Sequence, residues 1–87
     1  MTKDVDQSFC TTRTVRVAAE ADPSTLVRVL MAFQHLNVVP RRVSAELSTN
    51  EMLHIEINVT GLADDRLTII AAKLGQLPMV TNAYWHK

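Results

Sequence analysis

Three histidines, a pair of adjacent aspartates and one cysteine are the side chains of this 87-residue chain best suited to bond-making chemistry. Their spacing argues against it. His35, His54 and His86 lie in separate segments, and none has a carboxylate, a nucleophile or a second imidazole at acid–base spacing. Each reads as a solvated surface histidine. Asp64-Asp65 opens a helical pattern, where negative charge suits the positive end of the helix dipole, so it reads as a helix-start pair rather than a catalytic dyad. Cys10, the single cysteine, supports neither a disulfide nor a zinc site and reads as an ordinary thiol. With only Gly61 and Gly75 there is no glycine-rich phosphate loop. The expectation is a chain that is not an enzyme, with no cofactor and no metal.

One stretch keeps a binding reading open. In DPSTLVRVLMAF the polar start Asp22-Pro23-Ser24-Thr25 precedes a helical stripe. Aspartate is a favoured N-cap, and proline fits the first helical position because its missing N–H has no partner there anyway. The same free donors and positive dipole end can also hold an anion. Cap or pocket is the question on which function turns.

The elements around that stretch are legible from periodicity. From Thr12, Val15, Val17 and Ala19 alternate with Thr14, Arg16 and Ala18, as in a half-buried strand. Leu26, Val29, Leu30, Phe33 and Leu36 then recur at three- and four-residue steps, predicting a helix that Asn37 ends in a left-handed conformation and Pro40 keeps from resuming. RRVSAELS and MLHIEINVT alternate again across the turn Ser48-Thr49-Asn50-Glu51, predicting a hairpin. A second helix carries Leu67, Ile70, Ala71, Leu74 and Leu77 and stops at Pro78; VTNAYWHK favours a last strand, with its inward side undetermined. The order β-α-β-β-α-β, with polar outward strand faces, predicts an α+β, ferredoxin-like two-layer sandwich: a four-stranded antiparallel sheet with both helices on one face. Residues 12–87 read as one domain, preceded by a flexible arm over residues 1–11.

Composition narrows the partners. At 47% apolar and 21% charged residues the chain is expected to be globular. Nine basic and nine acidic side chains cancel, which argues against nucleic acid, whose binding needs clustered cations. The outward strand positions Thr14, Arg16, His54, Glu56 and Asn58 are also not the aromatic platform on which bases stack. No apolar run reaches the ~20 residues that span a bilayer, and the polar start MTKDVDQS does not read as a signal peptide, so a cytoplasmic setting without membrane partners is expected.

What remains is interaction. A small sheet with one bare face and a free edge gains stability by associating. The 42–48 strand is predicted to be that edge, and pairing with its own copy would give a homodimer with one continuous sheet. Arg41, Arg42 and Glu46 serve equally well as charges that discourage such pairing. Arg28 and Met31 on the first helix join Arg41, Arg42 and Glu46 as candidate interface residues.

The stretch from about Thr14 to Tyr84 resembles an ACT domain, and within that group the small regulatory subunit of acetolactate synthase. DPSTLVRVLMAFQHLNVVPRRVSAEL and the closing LTIIAAKLGQLPMVTNAY carry the resemblance, the latter through Lys73-Leu74 and Leu77-Pro78-Met79-Val80. The resemblance implies a non-catalytic protein that pairs with itself and supports the large, thiamine-diphosphate-dependent catalytic subunit in branched-chain amino acid biosynthesis. It also implies an amino-acid effector site in the loop before the first helix, over Ala21, Asp22, Pro23, Ser24 and Thr25. Effector-binding members place Asn where this chain has Ala21 and Gly where it has Ser24. Asp22 would lay its own carboxylate over the donors an amino acid needs, so a weak or absent valine response is expected. The alternative is a free-standing ACT domain that senses another small ligand for an unrelated partner.

Overall fold

The valine-rich alternation does form the centre of a sheet. In a computed structural model that describes residues 11–87, β1 (Thr12–Glu20) pairs antiparallel with β3 (Met52–Thr60) on one side and β4 (Val80–His86) on the other. The strand β2 (Arg42–Leu47) pairs only with β3, giving the order β2-β3-β1-β4. Helices α1 (Thr25–His35) and α2 (Asp64–Gly75) complete the β-α-β-β-α-β order of the ferredoxin-like sandwich. The predicted arm lies outside the described residues except for Thr11, and Cys10 lies outside them too.

Alternation decides which side chains meet the helices. Val15, Val17 and Ala19 of β1 and Ile55, Ile57 and Val59 of β3 are buried against Val29 and Phe33 of α1 and Leu67, Ile70 and Leu74 of α2. Burying side chains of this size is worth about 1.5–3 kcal/mol each, which makes this layer the main source of stability. The register also resolves β4. Val15 faces Trp85 and Arg16 faces Tyr84, so Trp85 joins the helix side, donating its Nε1–H to Thr68 Oγ1 at 3.3 Å, while Tyr84 stands on the open face. The register slips between Ala18 and Ala19, a bulge that brings Val80 opposite Ala19.

The ends of α1 are set by local chemistry, and one sequence expectation is corrected there. Asp22 is not the residue at the N-cap and Pro23 not the first helical residue: the helix begins at Thr25 with Ser24 at the cap position. Asp22 instead starts a turn, its carbonyl accepting the Thr25 N–H at 2.9 Å. At the other end Asn37 has φ 60, and the N–H groups of Asn37 and Val38 return to the carbonyls of Gln34 and Phe33 at 3.0 and 2.9 Å. This is the paired-bond ending that a left-handed residue allows.

The helices do not cover the whole sheet. Every residue of β2 is exposed, although Val43, Ala45 and Leu47 pair with the inward residues Ile57, Ile55 and Leu53. Leu47 keeps 63% of its surface and Val39, just before the strand, 87%.

Candidate functional site

The start of α1 sits against the end of the sheet, held there by two bonds. Thr25, the one buried polar side chain among the described residues, donates its hydroxyl to the carbonyl of Glu20 at 2.9 Å. Glu20 in turn donates its N–H to the carbonyl of Met79 at 2.9 Å, which ties the approach to β4 into the same corner. The result is an open depression of about 490 Å³ lined by Glu20, Asp22, Ser24, Thr25, Arg28, Pro78 and Met79.

Of the predicted effector residues, Asp22, Ser24 and Thr25 therefore come together, while Ala21 and Pro23 are exposed beside the depression without lining it. Glu20, Pro78 and Met79 were not foreseen as part of it. The signal that could have found them is the adjacency of β1 and β4 in this topology, which brings the segment after Pro78 to the end of β1.

The donors just ahead of this helix are already engaged, although no side chain caps the helix itself. Pro23 has none. The Ser24 N–H and Ser24 Oγ–H both donate to Asp22 Oδ1, at 2.9 and 2.7 Å, and the Thr25 N–H goes to the Asp22 carbonyl. These bonds favour the charged carboxylate: the Ser24 N–H first, then the Ser24 hydroxyl, with Arg28 adding attraction, hold the Asp22 carboxyl below its ordinary value. Over Pro23 to Thr25 no backbone N–H faces an incoming anion, and Glu20 and Asp22 supply two carboxylates against the single cation of Arg28. The turn ahead of the helix is closed on itself, and the lining around it is acidic on balance.

The five candidate interface residues do not form one patch. Arg28 and Met31 line a furrow between the helices. Arg41 and Arg42 border a groove of about 550 Å³ between α1 and β2, floored by Leu30, Phe33, Val38 and Val43. Glu46 stands on the open face, beside His54 in a polar dip over Ala18. The histidines are likewise dispersed and exposed. His35 ends α1, His54 is on β3, and His86 Nε2 accepts a hydrogen bond from Arg16 Nε at 2.8 Å. Arg16 also pairs with Glu56 at 3.4 Å. Among the described residues no three His, Cys, Asp or Glu side chains are grouped to hold a metal ion, and no helix is long and apolar enough to cross a membrane.

The fold and the sequence both have counterparts. A family model described as ACT-like domain matches residues 6–87. No curated protein matches the sequence. Among solved structures, the chain is similar to the ACT domain from GTP pyrophosphokinase of Chlorobium tepidum, with a TM-score of 0.74 at 12% identity, covering 88% of this chain and 99% of that one. It is similar to the C-terminal domain of the MgtC protein from Mycobacterium tuberculosis, with a TM-score of 0.72 at 15% identity over 90% of this chain and 87% of that one. A homoserine dehydrogenase from Thiobacillus denitrificans contains a similar fold, with a TM-score of 0.68 at 15% identity over 87% of this chain and 17% of that one. Identities this low establish shared architecture alone.

Proposed function

Because the chain belongs to the ACT-like domain family, we propose that it is a non-catalytic regulatory module that pairs with a second copy through β2 and serves a catalytic partner. The observation that carries the pairing is the bare β2 edge with an apolar strip beside it. Backbone donors and acceptors on such an edge are matched by another strand, and Val39, Val43 and Leu47 are left in water by the chain's own helices. A second copy laid edge to edge would satisfy both.

For the partner, the sequence resemblance supports the catalytic subunit of acetolactate synthase, which the pair would bind and activate. The occupied donors of Pro23 to Thr25 support a weak or absent response to valine. Mixing the purified chain with a thiamine-diphosphate-dependent acetolactate synthase catalytic subunit tests this reading. Co-elution with a several-fold rise in turnover, insensitive to millimolar valine, is the expected result. Absence of both co-elution and a rise in turnover would reject it.

The second reading is a free-standing sensor of another small ligand with an unrelated partner. The acidic lining of the α1 corner favours it, because Glu20 and Asp22 suit a cationic or amine-bearing ligand better than an anion. Titration with amino-acid amides, which lack the carboxylate, separates the two readings.

A further inference from the structure

We propose that the furrow between α1 and α2 is a docking groove for an acidic amphipathic helix of a partner protein. This surface is distinct from the β2 edge and shares only Arg28 with the α1 corner, and the proposal holds whichever enzyme the partner is.

The furrow has an apolar floor and a cationic rim. It measures about 640 Å³, and its floor is made by Ala32, Leu36 and Leu77, which are packed on the core from below and half-buried. Met31 stands on its crest with 44% of its surface exposed, and its unbranched side chain can adapt to varied apolar partners. Arg28 and Lys73 border it from opposite helices, and no carboxylate lines it. Asp22 lies near Arg28, and its carboxylate is hydrogen-bonded to Ser24. The one ion pair among the described residues is Arg16–Glu56, so neither Arg28 nor Lys73 is paired among them. Arg66 Nη2 donates to the Leu36 carbonyl at 2.8 Å, holding the start of α2 at the end of α1.

Shape and chemistry favour a helix as the occupant. The trough is lined from Arg28 to Leu36, about 12 Å or a little over two helical turns. An extended peptide would need a free strand edge along its path, and no strand lines the furrow. A helix arrives with its backbone satisfied and needs only an apolar stripe for the floor and acidic flanks for the rim. Such complementary charge also steers the encounter and fixes orientation.

The test uses the ¹⁵N-labelled full chain and three probes. The first is a 14-residue helical peptide with leucines at three- and four-residue steps and glutamates on both flanks; the second is the same peptide with lysine for glutamate. The third is vesicles of anionic phosphatidylglycerol. The acidic peptide is expected to move amide signals around Arg28, Met31, Lys73 and Gln76 and not those of β2. Lys73→Glu and Arg28→Glu should each weaken it at least tenfold and improve binding of the lysine peptide, with unchanged thermal melts showing that both variants fold. No shift up to millimolar peptide, equal binding of both peptides, or shifts centred on β2 would overturn the proposal. So would capture by vesicles without peptide binding, which would make the furrow a membrane-facing surface. A wild-type chain that stays monomeric while the furrow still binds the acidic peptide would reject the β2 pairing alone.

Discussion

The carboxylate of Asp22 accepts two hydrogen bonds from Ser24, one from its backbone N–H and one from its hydroxyl. This places the negative charge of the chain itself where an effector's carboxylate would have to lie. A helix start attracts anions because its donors are free, and here the Ser24 N–H is taken by a carboxylate two residues before it.

The first prediction concerns ligands. Calorimetric titration of the purified chain with valine, leucine and isoleucine should give no binding tighter than millimolar. Micromolar affinity for any of the three would mean that the Asp22–Ser24 turn opens at little cost.

The same pair gives a pH dependence. The folded-state pKa of Asp22 is lowered from 3.8, so its contribution is fully present above that value and is lost as pH falls through the lower folded value. Asp22→Ala should melt a few degrees below the wild type at pH 7, and the gap should narrow as the pH drops below 3.8. A gap independent of pH would show that the charge of Asp22 plays no part.

Thr25 is a more sensitive position, because it is fully buried and bonded to the Glu20 carbonyl. Thr25→Val preserves its shape and strands that carbonyl, costing about 1–3 kcal/mol in denaturant unfolding. Thr25→Ser, which keeps the hydroxyl, should lose less.

Asn37 tests the end of α1. With φ at 60 it occupies the left-handed region, so Asn37→Gly should be neutral or slightly stabilising and Asn37→Val should cost about 1–2 kcal/mol. Equal melting temperatures for the two variants would contradict the conformation.

The edge strand is checked by charge. Arg42→Glu should shift sedimentation from dimer toward monomer if β2 meets its own copy. An unchanged sedimentation coefficient would count against edge-to-edge pairing.

Most of the fold was legible because one face of each element is apolar at a clean period. Val15-Val17-Ala19 and Leu53-Ile55-Ile57-Val59 read as inward strand faces, and the register bears this out. Asn37 has positive φ, as its residue type suggested, while the positive φ of Glu51 had no such signal. The start of α1 was displaced because Asp22 can bond two residues ahead in a turn as well as cap a helix, and local sequence does not separate the two. The inward side of β4 was not readable, since Val80, Ala83 and Trp85 fall on one face only after the bulge opposite Ala18 and Ala19. The corner lining from Pro78 and Met79 depended on that same unread strand. The interface residues were chosen by type, and type does not report that Arg28, Arg42 and Glu46 belong to three different surfaces.

The strand β2 hangs from the rest of the molecule by β3 alone, with no helix laid over it. In a lone protomer it is therefore the segment that should open first, and its amides should exchange with deuterium well before those of β1 and β3. Anything that seals it adds its free energy to folding through mass action, so the melting temperature should climb with protein concentration. The domain would then be only as sturdy as its surroundings permit.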